Sequence, residues 1–176
     1  MLRVTDYVAL LRAVNVGGTG KLPMTTLKQI GVDCGFEEVR TFIASGNLLF
    51  RSDAGESEVA TAIEDRLAEF FGKRVSVFVR SAAEMAEVAA NNPFDDDKPS
   101  RVMAHFIADR PDPAMLDAAT GVQGERMALG PRAIYVSYGK GIGKTKLKLP
   151  AVRDGTARNL NSVARMAALL APATAA

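Results

Sequence analysis

Tryptophan is absent, histidine and cysteine occur once each, and no apolar run approaches the length of a membrane span. Each shortage excludes something. The single cysteine, Cys34, rules out an internal disulfide framework, so a reducing cytoplasm is the expected setting. One cysteine with one histidine, His105, is too few for a nitrogen and sulfur zinc site, and no cofactor or metal is expected. Spanning a bilayer takes about 20 consecutive apolar residues. The start, Met-Leu-Arg-Val-Thr-Asp, has no apolar signal region, so neither export nor membrane insertion is expected. Aromatic residues make up 6% of the chain, and Tyr7, Tyr135 and Tyr138 fall on different strands or faces. Asn47-Leu48-Leu49-Phe50-Arg51-Ser52 offers one aromatic where an RNA-recognition strand needs a pair, so base reading by a sheet face is a minority reading.

What is present is ample apolar material, 48% of 176 residues, enough for one large domain or two small ones. The net charge of +2 is unevenly placed. Residues 1–80 hold ten basic against ten acidic side chains, residues 81–138 five against nine, and residues 139–176 seven against one. The basic C-terminal stretch is read either as an attractor of phosphates or nucleic acid, or as a solvated face that neutralises Asp95-Asp96-Asp97.

Apolar periodicity gives the elements. Tyr7 to Val14 reads as a strand that stops at the glycine-rich loop Asn15 to Lys21. Pro23 at a first helical position, then Met24, Leu27, Ile30 and Cys34 at helical spacing, predict a helix capped at Gly35. Val39 to Ile43 and Asn47 to Phe50 form a hairpin about Ala44-Ser45-Gly46. Val59, Ile63, Leu67 and Phe70 mark a helix introduced by Ser52 or Asp53 and ended by Gly72, and Arg74 to Arg80 alternates as a strand. The order is β-α-β-β-α-β, which is ferredoxin-like, and it defines an α+β subdomain over residues 1–80.

Residues 81–176 predict a second, smaller α+β subdomain of related topology. Ser81-Ala82-Ala83-Glu84 opens a helix that stops near Asn91-Asn92-Pro93. A strand from Val102 to Ala108, a short helix from Pro113 to Ala119 and a hairpin about Gly130-Pro131 follow. A basic loop over 139–158 then leads to a helix striped by Leu160, Val163, Ala167 and Leu170 and ended by Pro172.

In a split β-α-β unit, strand three lies between strands one and two, so the loop after strand one lies beside the turn joining strands two and three. Arg12, Asn15, Gly17, Gly18, Lys21, Ser45, Gly46 and Asn47 then share one corner, whose backbone N–H groups can approach an anion. The structural alternative is that the glycines serve turn geometry while Asn and Ser bond local backbone.

Gly139-Lys140-Gly141-Ile142-Gly143-Lys144-Thr145 ends like a phosphate-binding loop, but the full spacing needs glycine at position 138, where the chain has Tyr138. Pro150 also interrupts the helix that should follow, which leaves a looser site with Lys144 and Lys146 as point charges. His105 alternates with Met103 and Ile107 and reads as a strand-face residue. The Asp95 to Asp97 run lacks calcium-loop spacing and reads as solvated linker.

Arg12-Ala13-Val14-Asn15-Val16-Gly17-Gly18 and Arg40-Thr41-Phe42-Ile43-Ala44-Ser45-Gly46-Asn47, together with Asn92-Pro93-Phe94, Gly143-Lys144-Thr145-Lys146-Leu147 and Ala157-Arg158-Asn159-Leu160-Asn161-Ser162-Val163, resemble a bacterial family catalogued as domain of unknown function 1697. The family pattern has glycine at Ala13, glutamine at Ala44, Arg-Ser at Lys144-Thr145 and tryptophan at Leu160. The resemblance implies a two-part α+β fold and no established activity. Its motifs fall on the two converging loops and the basic C-terminal segment, so the leading expectation is an anion-binding groove between the halves. Lys144, Lys146, Arg158, Asn159 and Asn161 join the corner residues there and bind a nucleotide or nucleic-acid phosphate. The alternatives are a small-molecule enzyme in which Ser45 or Lys144 reacts, for which Ser45 has no evident base, and a structural or interaction module without ligand.

Overall fold

The computed structural model describes residues 3–16, 20–139 and 142–171. It is an α+β structure with two four-stranded antiparallel sheets and, among the described residues, five α-helices. The chain divides into two compact units, one running to Ala82 and including the end from Leu170, the other Ala83–Leu169. Among the described residues, no helix is long and apolar enough to cross a membrane.

The first unit contains β1 (Thr5–Leu11), α1 (Met24–Asp33), β2 (Glu37–Thr41), β3 (Asn47–Ser52), α2 (Glu56–Phe71) and β4 (Val77–Ser81), with strand order β2-β3-β1-β4. β3 lies between β1 and β2 and is antiparallel to both, as the topology argument required. Tyr7, Ala9 and Leu11 of β1 pack with Leu48, Phe50, Val77 and Val79 against Leu27 and Ile30 of α1 and Val59, Ile63 and Leu67 of α2. Helix α1 has no side-chain cap and no acidic residue in its first turn. A missing cap costs about 1 kcal/mol, whereas burying a Leu or Ile contributes roughly 2 kcal/mol, so tertiary packing holds this helix in place. Gly31 lets it approach the sheet closely, since a Cβ there would meet Val39 Cγ1 at 2.7 Å and Leu48 Cδ2 at 3.2 Å.

The second unit contains α3 (Ala82–Ala90), whose first residue lies at the boundary, β5 (Val102–Phe106), α4 (Pro113–Asp117), β6 (Arg126–Gly130), β7 (Ala133–Ser137), β8 (Thr156–Asn159) and α5 (Leu160–Leu170), whose last residue lies at the other boundary. Its strand order, β6-β7-β5-β8, repeats that of the first sheet with each number raised by four. Between β7 and β8, where the first unit has α2, lie two short 3-10 turns, Ile142–Lys144 and Pro150–Val152. Leu147, Leu149, Ala151 and Val152 of this segment pack with Ile107, Ile134 and Val136 and with Met115, Leu116 and Ala119, and so do the work of a helix face.

Several expectations are corrected. β1 ends at Leu11 rather than Val14, because Ala13 and Asn15 take positive φ and cannot continue a strand. The cap of α2 is Gly55, while Ser52 Oγ accepts from Ala54 N at 3.1 Å in the preceding turn. The basic stretch 139–158 is not all loop. Thr156–Asn159 is an edge strand paired with β5, and four mostly polar residues carry no alternation from which to recognise it. The expected end of α5 at Pro172 lies outside the described residues.

Candidate functional site

The corner of the first unit is closed by backbone. Leu11 N donates to Gly46 O at 2.9 Å, Arg12 N to Ser76 O at 3.0 Å and Asn15 N to Gly20 O at 3.3 Å. Asn15 is the strut. Its Nδ2 donates to Leu22 O at 2.9 Å and to Ala44 O at 2.8 Å, while its Oδ1 accepts from Leu22 N at 2.7 Å. One side chain thus bridges both ends of its own loop to the β2–β3 turn. Asn47 is fully buried and organises that turn: its Nδ2 donates to Phe42 O at 2.8 Å and to Ser45 Oγ at 3.0 Å, and its carbonyl accepts from Phe42 N at 3.1 Å.

These bonds commit both Nδ2 hydrogens of each asparagine to protein oxygens, as the structural alternative for these residues required. Ser45 Oγ accepts one of the Asn47 amide hydrogens, which ties the serine into the turn. Gly17 and Gly18 lie outside the described residues.

Between the loop and the turn lies a cavity of about 740 Å³ lined by Asn15, Val16, Gly20, Lys21, Leu22, Pro23, Met24 and Ala44. Its walls are mainly apolar, and Lys21 is exposed at its margin. Pro23 and Met24 bring the start of α1 to the same wall. The first intrahelical bond runs from Leu27 N to Pro23 O, so the N–H groups of Met24, Thr25 and Thr26 precede it and present the positive end of the helix dipole. Sequence reading found Lys21 but missed the apolar lining, because Val16, Leu22, Met24 and Ala44 are ordinary loop and core residues until the fold gathers them.

Backbone strain collects here. Five non-glycine residues among those described have positive φ, and three of them, Ala13 (55°), Asn15 (56°) and Ile43 (48°), belong to the two converging segments. Ile43 is β-branched and half exposed, an uncommon combination with left-handed backbone. Strain of this kind persists where surrounding structure over-determines it, and it clusters at ligand sites. Ala13 stands where the resembled pattern has glycine, and its left-handed φ gives the physical reason for that glycine. Replacing Ala13 with glycine is expected to stabilise the fold by about 1 kcal/mol and raise the thermal midpoint by roughly 2–4 °C, measured by calorimetry; no gain would mean the position is unstrained.

The remaining expected site residues belong to the second unit. Lys144 and Lys146 are exposed. Thr145 Oγ1 donates to Glu125 Oε1 at 2.6 Å and accepts from Leu147 N at 3.1 Å, and a 3-10 turn stands where a phosphate-loop helix would begin. Arg158 is buried in β8, with Nη1 on Thr156 Oγ1 at 2.7 Å and on Ala157 O at 2.9 Å. Burial lowers its guanidinium to about 10, so it stays charged at neutral pH. Asn159 caps α5, its Oδ1 accepting from Ser162 N at 2.9 Å, and Asn161 is exposed in the first turn.

The acidic run is an exposed turn, as read, but two of its carboxylates are paired. Arg126 Nη2 lies 2.9 Å from Asp96 Oδ1 and 2.7 Å from Asp97 Oδ2, Ser137 Oγ donates to Asp97, and the Arg126 guanidinium sits 4.7 Å from the Phe94 ring centre. Hydrogen bonds from Ser137 and then Arg126 hold the Asp97 carboxyl below the usual carboxylate range, and the bond from Arg126 does the same for Asp96. Arg126 of β6 therefore supplies charge that neutralises this run.

Residues 4–135 match the model of a family described as a protein of unknown function (DUF1697). No curated protein is significantly similar to the chain. The solved structure of the conserved bacterial protein SP0830 from Streptococcus pneumoniae is similar, at 26% identity and a TM-score of 0.79, covering 96% of this chain and 100% of that one.

Proposed function

We propose that this chain, which belongs to the DUF1697 family of proteins of unknown function, is a binding protein whose corner cleft takes a small anion carrying an apolar portion, such as a nucleoside monophosphate. The observation that carries this reading is one cavity of about 740 Å³ with mainly apolar walls, Lys21 at its margin and an uncapped helix start at its wall. The apolar walls suit a ring or chain, and the cation with the first-turn amides suits its anionic group. We take the first unit as ferredoxin-like on the support of its strand order, which places this cleft where loop and turn converge. The asparagines then act as scaffold, and the ligand contacts belong to Lys21, backbone amides and apolar side chains.

Adenosine 5′-monophosphate, inorganic phosphate and oligothymidylate, titrated at low salt against the nitrogen-15-labelled chain, test this. Adenosine 5′-monophosphate should saturate with a dissociation constant below about 1 mM and shift the amides of Met24 to Leu27. Lys21→Ala should weaken it about fivefold, or roughly 1 kcal/mol, with an unchanged thermal midpoint. Asn15→Ala should instead lower the midpoint, since it strands buried backbone groups at a cost of about 1–3 kcal/mol. No saturable shift from any of the three probes sinks the proposal, and binding of oligothymidylate alone would replace it with a nucleic-acid role.

A further inference from the structure

The second sheet repeats the strand order of the first, so the second unit has a corner in the equivalent position, between the segment leaving β5 and the β6–β7 turn. The same backbone joint closes it: Ile107 N donates to Arg132 O at 3.2 Å, as Leu11 N donates to Gly46 O at 2.9 Å. The turn again holds a residue in left-handed backbone, here Arg132 at φ 49°. A cavity of about 470 Å³ opens at this corner, with Glu84, Glu87, Arg110, Pro111, Leu129 and Arg132 in its lining.

The chemistry differs from that of the first corner. The first has apolar walls and a lysine, whereas the second brings two guanidinium groups and two carboxylates to one cavity of half-exposed apolar surface. Glu84 Oε2 and Arg132 Nη1 are already paired at 3.0 Å, and both side chains are about one-third exposed. That pair fixes α3 against the turn, with Tyr135 Oη donating to Val88 O at 2.6 Å beside it. Arg110 and Glu87 are exposed, and neither has an ion-pair partner among the described residues. They offer one positive and one negative group to whatever enters. A simple anion is attracted by Arg110 and repelled by Glu87, and a simple cation meets the reverse. A ligand bearing both charges gains from both groups at once. Pro111 and Leu129 add apolar surface for a side chain between the charged ends.

We infer that the cavity between the β5–α4 segment and the β6–β7 turn binds a small zwitterion of the amino-acid or short-peptide class, its carboxylate on Arg110 and its ammonium on Glu87. The inference stands on the second unit alone and does not depend on the ligand proposed for the first. A hydrogen-bonded guanidinium–carboxylate contact carries directional specificity for the acid end, and the opposing carboxylate sets the ligand's orientation.

The test uses the full nitrogen-15-labelled chain titrated with L-alanyl-L-leucine, N-acetyl-L-alanyl-L-leucine and L-alanyl-L-leucinamide. The unmodified dipeptide should give saturable shifts at Arg110, Leu129 and Gly130 and none at Met24 to Leu27. Blocking either end should weaken binding about tenfold or more. Arg110→Gln and Glu87→Gln, both exposed positions, should each do the same without moving the thermal midpoint. Absence of saturable shifts up to about 20 mM overturns the inference. So does equal binding of the blocked peptides, or binding indifferent to both substitutions. The first corner's phosphate probes report on different amides, so either site can fail without the other.

Discussion

Replacing Gly46 with alanine is expected to destabilise the protein by about 4 kcal/mol in urea denaturation, a large part of the roughly 5–15 kcal/mol that holds a typical domain folded. Two costs add. Gly46 has φ 88°, where an L side chain costs about 1–2 kcal/mol. A Cβ there would also lie 2.4 Å from Val14 Cγ2 and 3.0 Å from Leu11 Cβ. Both neighbours are buried, and valine is stiff about its first side-chain torsion, so neither can swing aside and overpacking adds about 1–3 kcal/mol. The turn would move away instead, stretching the Leu11 N to Gly46 O bond and opening the corner. Gly72→Ala is the control. It shares a left-handed φ of 69° but a Cβ there meets nothing within 4 Å, so it should cost only about 1 kcal/mol. Equal losses in the two variants would show that the corner is not closely packed.

The second large effect concerns acid. His105 is the chain's one histidine, mostly buried on β5, with Nε2 3.1 Å from the Tyr138 hydroxyl. Burial lowers its imidazolium from an ordinary value of 6.5 to about 4. Above pH 6.5 the ring is neutral folded or unfolded and contributes no pH dependence. Between 6.5 and 4 the unfolded chain takes up a proton that the folded chain refuses, so stability falls as pH falls, by about 3 kcal/mol over the interval. His105→Gln, which keeps a group able to bond the tyrosine, should lose that much less than the wild type between pH 7 and pH 4 in paired urea titrations. Carboxylates such as Asp97 and Glu125, held low by their hydrogen bonds, titrate in both proteins and cancel in the comparison. Parallel loss in the two proteins would mean that His105 protonates without resistance.

Much of the fold was legible because it depends on local pattern. The stripe Val59, Ile63, Leu67 marked α2, the Pro23 and Gly35 punctuation bracketed α1 within one residue, and the paired runs about Ala44 to Gly46 gave the hairpin. What failed was non-local. β8 is a strand only because β5 offers it an edge, and residues 142–155 fill the place of a helix with loop side chains that show no helical period. Ser137 on Asp97 and Arg126 on the acidic run span separations of 29 to 40 residues that no spacing rule encodes.

The corner shows the same division. Composition and topology by themselves determined that the Asn15 to Lys21 loop meets the Ser45 to Asn47 turn, since strand order follows from element order and connection rules. Which atoms are spent and which remain available was decided only by tertiary structure. Asn15 and Asn47 look like ligand donors in sequence, yet their hydrogen bonds go to Leu22, Ala44, Phe42 and Ser45, because buried backbone groups need partners before any ligand arrives. The apolar walls of the first corner and the two arginines and two glutamates gathered at the second are likewise properties of proximity. A sequence fixes which side chains exist and their local rhythm, but a site is a set of distances, and packing sets those.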